Sequence, residues 1–297
     1  IESRGERVTA AHVVVYDETQ SSHASDILAA LDDPPFVVQL MDVLEAMPLD
    51  QRRYRNLRQL CRRARTVLCI SPLLAEAVRS STGATTELLP VCADPHSFSF
   101  PLHSPCSSAF RIALLGTVYR RDVAGDARML GLLAEAWPDL QRSYPHAQLI
   151  YAGHSFAEFP ETLQPFVTNL GPLSATACLD MLAGCSAACL TASYTSASAF
   201  RYSVPSRLAD FLAAGLPVVA CISPGTAVTE FLTPLEGKCA AFAHTAGELR
   251  TALSSYLDDP SRLAAHAAFA RQFALRELDA RKNAQLLRRC LEAAASS

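Results

Sequence analysis

Apolar positions in this chain fall into short unbroken runs separated by stretches with a helical repeat. The runs at 12–16, 36–41, 66–70, 86–90, 111–115, 148–152, 167–170, 187–191, 217–222 and 239–242 predict strands. Between them, apolar residues at i, i+3 and i+4 predict helices over 50–65, 72–80, 126–143 and 175–183. Alanine- and arginine-rich helices fill 261–291. Strands apolar throughout, alternating with helices, predict parallel sheets covered on both faces. The class is α/β. No repeat or low-complexity segment interrupts the alternation.

The pattern weakens once, over 94–108, where Pro95, Pro101, Pro105 and several serines replace the aliphatics. Such a stretch suits an inter-domain linker. It predicts one Rossmann-like unit over 1–100 and a second over 101–260, with C-terminal helices over 261–297. A length of 297 residues fits about two domains.

Composition narrows the function classes. Half the residues are hydrophobic and 19% are charged, enough apolar mass for sizeable cores. A net charge of −3 with both signs scattered gives no nucleic-acid surface, so no nucleic-acid partner is expected. No apolar run approaches the roughly 18 residues needed to cross a bilayer, and the first residues do not read as a signal peptide. The expectation is a cytoplasmic protein. The ten cysteines form no C-x-x-C pair and sit mostly in apolar runs, as Cys69 and Cys221 do. They read as buried small hydrophobes in a reducing compartment, without paired zinc-ligand spacing.

Candidate chemistry concentrates in 205–219, Pro-Ser-Arg-Leu-Ala-Asp-Phe-Leu-Ala-Ala-Gly-Leu-Pro-Val-Val. This is a short helix with Ser206 as a candidate N-cap and one apolar face of Leu208, Phe211 and Leu212. Gly215 suits the left-handed position past its end, and Pro217 follows where the helix must stop. Ser206, Arg207 and Asp210 stay off the apolar face. They read in two ways: as a solvated Arg–Asp face, or as a phosphate site at a helix start with a carboxylate one turn on for two sugar hydroxyls.

This segment resembles the donor-binding signature of GT-B glycosyltransferases, most of all the family 4 and family 1 groups. In that signature an acidic residue five positions before the glycine of A-x-G-x-P-V-V holds the ribose of a nucleotide sugar, and Asp210 stands at that position. The family's second acidic position, eight residues earlier, falls on Tyr202. That departure is similar to the subgroup with a Pro-Ser/Asn-Lys/Arg loop, in which Ser206 and Arg207 would serve the phosphates. Further stretches match in order: Ile70-Ser71 with Leu74-Ala75-Glu76, the 90–98 stretch against P-N-G-V-D-x-x-x-F, the strands 111–116 and 148–153, and Asn169-Leu170-Gly171-Pro172-Leu173. The resemblance implies two Rossmann-like parallel-sheet domains, with the terminal helix crossing back to the first. The family's opening strand and glycine-rich loop have no counterpart among the first hundred residues or so, so the N-terminal domain is expected to be incomplete and the chain N-terminally shortened.

Other site residues follow from strand ends, where parallel sheets hold ligands. Gly116 and Thr117 end the strand at 111–115, with Arg120 and Arg121 just beyond. Gly116 would admit a pyrophosphate close to the backbone, and either arginine could neutralise it as a planar fork. The alternative is a solvated basic loop. The resemblance implies that Leu170 and Gly171 lie against the nucleobase. Asp42, ending another apolar run, would orient an acceptor hydroxyl or act as base, or simply serve a loop. His154 follows Gly153 in a similar turn.

No P-loop, G-x-S-x-G, H-E-x-x-H or G-x-G-x-x-G occurs, which removes ATPase, hydrolase, zincin and dehydrogenase readings. Without D-x-D, no metal and no further cofactor are expected. The reading is a glycosyltransferase of hexosyltransferase type, retaining, moving a sugar from a nucleotide-sugar donor to a hydroxyl of a glycan, lipid-linked or small-molecule acceptor. Polysaccharide biosynthesis is its setting, and peripheral membrane association is compatible with it. Arg120, Arg121, Ser206 and the helix start would favour the departing diphosphate. The alternative is a nucleotide-sugar-binding module without turnover, or an inactive fragment of such an enzyme. A nucleotide-sugar epimerase would share the fold, but its acid–base residues are not evident.

Overall fold

The computed structural model describes residues 8–15, 18–41, 54–93, 109–117, 128–190 and 201–296. The chain divides into two units: Ile1–Pro90 with Ala199–Val204 and Arg281–Ser297, and Val91–Ser198 with Pro205–Ala280.

In the first unit β1 (Ala11–Val15), α1 (Glu18–Ala30), β2 (Phe36–Leu40), α2 (Arg55–Arg63), β3 (Thr66–Cys69), α3 (Pro72–Thr82) and β4 (Thr86–Leu88) alternate. The strands form one parallel sheet in the order β1-β2-β3-β4. Val38 pairs with Val13 on one side and Val67 on the other. Val37, Val38, Val67 and Leu68 are fully buried, as apolar runs in a covered parallel sheet require. The last helix of the chain, α10 (Ala280–Ala295), brings Leu286, Leu287, Cys290, Leu291 and Ala294 against Val37, Leu68 and Leu89 of this unit. Asn283 Nδ2 donates to the Pro90 carbonyl (2.7 Å). Ser71 caps α3 by accepting the Leu74 N–H (3.1 Å), and its own hydroxyl donates to the Tyr202 carbonyl (2.9 Å). That bond ties Tyr202 to the start of α3 within the first unit.

The second unit contains β5 (Arg111–Leu115), α4 (Arg128–Ser143), β6 (Gln148–Ala152), β7 (Val167–Asn169), α5 (Ala175–Ala183) and β8 (Ala187–Cys189). They are followed by α6 (Arg207–Ala213), β9 (Val218–Ala220), α7 (Ala227–Leu232), β10 (Ala240–Phe242), α8 (Ala246–Asp258) and α9 (Pro260–Glu277). Its six strands are parallel, in the order β10-β9-β8-β5-β6-β7. The chain winds outward from β5 through β6 to β7, then returns to β8 and winds the other way. The switch between β5 and β8 leaves a crevice at their carboxyl ends, where open α/β sheets take ligands. Trp137 of α4 is fully buried among Leu133, Leu140, Leu149 and Leu253. Thr245 and Glu248 form a capping box on α8, and Asp259 caps α9 through the Ser261 and Arg262 N–H groups (both 3.0 Å).

The predicted strands all form, with bounds shifted or trimmed by up to three residues. Three helices outside the predicted set also form: α1, α7 and α8. Among the described side chains of α1 only Leu28 and Ser21 are deeply buried, and the sequence shows no apolar stripe. The helical stretch over 261–291 is two helices, broken at Leu278 and Asp279. There the Leu278 carbonyl accepts the Ala93 N–H (2.8 Å) and Ala93 pairs with Asp279. Of the two, α9 packs on α6 within the second unit, and only α10 joins the first. The stretch 94–108 lies outside the described residues, and the two units divide at Pro90 and Val91. No helix among the described residues is long and apolar enough to cross a membrane.

Candidate functional site

The site grows from α6. Leu208, Phe211 and Leu212 are fully buried, the helix packs against α9, and Arg207 and Asp210 stay half-buried on its flank. Its end follows the expected chemistry. Gly215 has φ +76, its N–H donates to the Leu212 carbonyl (3.0 Å), and Leu216 N–H reaches back to Phe211 (2.8 Å). The start does not. Ser206 takes helical angles (φ −55, ψ −34), and its side chain makes no capping bond. An N-cap hydroxyl reaches the N2 or N3 amide from an extended backbone, which Ser206 lacks. It is exposed.

Arg207 crosses to β5. Its guanidinium lies directly over Gly116, the residue after the strand, so a Cβ at 116 would collide with Nη1 and come within 3.3 Å of Cζ. Gly116 has φ +98, which side-chain-bearing residues avoid. The Nε of Arg207 is buried and has no hydrogen-bond partner among the described residues. Thr117 follows, exposed. The first residue of α6, the helix that follows β8 in the chain, thus meets the glycine after β5 at the switch point.

Asp210 sits one turn beyond Arg207 and faces α5. Cys178 of that helix has its thiol pushed up, first by desolvation and then by the nearby Asp210 carboxylate. The buried Cys61, Cys69, Cys185, Cys189 and Cys239 thiols are pushed up to about 12, mainly by burial. They are inert small hydrophobes, as the sequence predicts.

Three turns at the carboxyl edge are laced together. Gly116 N–H donates to Ala152 (3.0 Å), Leu170 N–H to Tyr151 (2.9 Å) and Gly153 N–H to Gly171 (2.9 Å). Gly171, at φ +67, receives its shape from Asn169, whose Oδ1 accepts the Gly171 N–H (3.0 Å). Leu170 stays exposed at the edge of β7. The Tyr151 hydroxyl donates to the Gly116 carbonyl and accepts the Ser155 N–H, both at 2.9 Å. Tyr151 and Asn169 escaped the sequence reading. A tyrosine inside an otherwise aliphatic buried strand was the available signal, since a buried hydroxyl needs a partner.

The structure therefore brings Gly116 and Arg207 together, with Asp210 on the same helix as Arg207. Leu170 and Gly171 lie two strands away from β5 on the same edge. Tyr202 is buried in the first unit with Arg201 over its ring (5.6 Å). His154 is exposed in the turn after Gly153. Asp42, Arg120 and Arg121 lie outside the described residues. Among the described residues no cluster of three or more His, Cys, Asp or Glu side chains could hold a metal ion.

Residues 168–289 match a family model described as glycosyl transferase-like, which spans α6 and its surroundings. Sucrose-phosphate synthase from Thermosynechococcus elongatus superposes with a TM-score of 0.70 at 15% identity, covering 98% of this chain and 75% of its own. Anabaena HepE in complex with UDP and glucose gives 0.68 at 16%, covering 95% and 78%. The same protein in complex with UDP-glucose gives 0.66 at 16%, covering 96% and 79%. The chain has the GT-B glycosyltransferase fold. No curated protein sequence matches it. At such identities the superpositions establish the fold alone, and the family model matches residues 168–289, from β7 into α10.

Proposed function

We propose that the protein transfers a sugar from a nucleotide donor to an acceptor hydroxyl, with the donor seated at the β5–β8 switch point. The observation that carries this reading is the meeting of Arg207 with Gly116. It places a permanently charged planar fork beside a backbone stripped of its side chain, which is how a diphosphate is admitted and neutralised. The buried Nε of Arg207 has no partner among the described residues, at a cost of about 1–3 kcal/mol, and leaves the outer nitrogens of the fork to face the ligand. Asp210 accepts the two ribose hydroxyls, and the exposed Leu170 offers the base an apolar edge. The short α6 contributes side chains here rather than a capped amide cluster, so Ser206 acts, if at all, through its exposed hydroxyl.

Arg120 and Arg121, four and five residues past Gly116, are assigned to the departing diphosphate, and Asp42 to the acceptor hydroxyl. The transfer is assigned as retaining and hexosyl. Stabilisation of charge on the leaving diphosphate is the main catalytic effect, and no metal or further cofactor is assigned. The HepE complexes hold UDP and UDP-glucose, which makes UDP-sugars the first donors to test.

The experiment is calorimetry with UDP-, GDP-, ADP- and dTDP-sugars on the wild type and Asp210→Ala, joined to a transfer and donor-hydrolysis assay. The reading expects one nucleotide series to bind and to lose affinity in Asp210→Ala. Unchanged affinity for every donor removes the ribose assignment. Binding without transfer or hydrolysis, across an acceptor panel, establishes a binding module instead of an enzyme.

A further inference from the structure

We propose that the Tyr151 hydroxyl is a positioning group that sets the two turns flanking the diphosphate, one carrying Gly116 and Thr117 and the other Gly153, His154 and Ser155. The inference rests on the donor-site reading above and assigns a residue that reading does not use.

Tyr151 is fully buried at the penultimate position of β6. Its ring is clamped by Phe159 (centroids 4.6 Å apart) and Phe156 (6.2 Å), which pack on each other at 5.4 Å. A ring held in this way has little rotational freedom, so the place of its hydroxyl is decided by the core. That hydroxyl spends its donor on Gly116 and one lone pair on Ser155. One bond reaches across from β6 to the turn after β5, and the other ties the turn after β6 back to its own strand. The fit is tight: a Cβ at Gly153 would collide with the hydroxyl and lie 2.5 Å from the Gly116 oxygen.

The consequence for a ligand follows from peptide geometry. In a trans peptide the carbonyl and the following N–H point to opposite sides, and no cis peptide is present among the described residues. Turning the Gly116 carbonyl toward Tyr151 therefore turns the Thr117 N–H away from it. Among the described residues that amide has no hydrogen-bond partner, and it would serve a phosphate oxygen beside the Arg207 guanidinium. Without the hydroxyl, the Gly116 carbonyl and Ser155 N–H lose their shared partner and the 116–117 peptide is no longer held in one orientation.

The test is Tyr151→Phe, which keeps the clamped ring and deletes only the oxygen. Three quantities are read: UDP affinity by calorimetry, uridine affinity by NMR titration, and amide hydrogen exchange at Ser155. The proposal expects UDP to weaken about tenfold, the scale of a lost buried hydrogen bond, with uridine unchanged and Ser155 exchange accelerated. Equal weakening of uridine, or unchanged UDP affinity even with a lowered Tm, overturns it, because a purely structural role would move stability alone. A wild type that binds no UDP, GDP, ADP or dTDP overturns the donor-site reading instead. Ser155 exchange then decides the brace by itself: acceleration in Tyr151→Phe upholds it and no change removes it.

Discussion

The guanidinium of Arg207 lies over Gly116 so closely that a Cβ at position 116 would have to displace its Nη1. The two residues are ninety-one positions apart in sequence (207 − 116) and meet only because β5 and β8 are neighbours in the sheet.

Gly116→Ala should therefore act twice. Alanine at φ +98 carries a backbone strain of about 1–3 kcal/mol, and its methyl group must displace the guanidinium. The expected outcome is a lowered Tm together with loss of nucleotide affinity beyond tenfold. Thermal unfolding and calorimetry on the same preparation check it. A protein that binds nucleotide as tightly as the wild type would show that Arg207 does not need its observed position.

Arg207→Lys should be nearly as damaging to donor binding as Arg207→Ala. Lysine keeps the charge but loses the planar fork and the Nε donor, and a bidentate site does not accept the exchange. About tenfold weaker binding is expected for lysine, and about thirtyfold for alanine, on the scale of charge-assisted hydrogen bonds. Titrations at two salt concentrations check the charge contribution, which should shrink as salt screens it.

Trp137, the single tryptophan of the chain, is fully buried, and its Nε1 has no hydrogen-bond partner among the described residues. Trp137→Ala leaves a large cavity and should cost about 3–5 kcal/mol. Trp137→Phe leaves a smaller void and removes the isolated donor, so its loss should be well under half of that. Urea unfolding followed by circular dichroism compares the two.

The caps of α8 and α9 predict a pH dependence. The Glu248 carboxylate accepts the His244 N–H (2.7 Å) and Thr245 N–H (3.2 Å), which holds it below its ordinary value of 4.5, the His244 bond contributing most. Asp259 is held below 3.8, chiefly by the Ser261 hydroxyl and then by the Arg262 N–H. A carboxyl whose folded value is depressed binds fewer protons folded than unfolded. Its stabilisation is complete above the ordinary value and disappears as pH falls through the folded one. The Tm advantage of the wild type over Glu248→Gln and Asp259→Asn should be constant near neutral pH and vanish between about pH 5 and pH 2. An advantage that persists in acid would rule out the carboxylates as its source.

Much of the fold was legible because its signals are local. Runs such as Arg111–Leu115 and Gln148–Ala152 form strands as predicted, since a strand buried on both faces must be apolar throughout. The stop of α6 at Gly215 was equally legible, because only a left-handed residue closes that hydrogen-bond pattern cheaply. Ser206 was misread for the same local reason turned round. Capping depends on backbone angles, and the helical turn already begins at Pro205, whose carbonyl accepts the Leu208 N–H (3.0 Å). α1 was missed because its burial rests on Leu28 and Ser21 rather than on a periodic stripe. The break between α9 and α10 was invisible because its cause, Ala93, lies far upstream.

The sequence by itself determined the alternation of strands and helices, the apolar face of α6, and the residue types able to hold a sugar nucleotide, because each depends on neighbours a few positions away. Tertiary structure alone decided that Arg207 covers Gly116, that Tyr151 ties two turns, and that the chain ends in one helix per unit. Those relations depend on strand order, and strand order is settled by which buried faces pack together, across distances along the chain that no local pattern records.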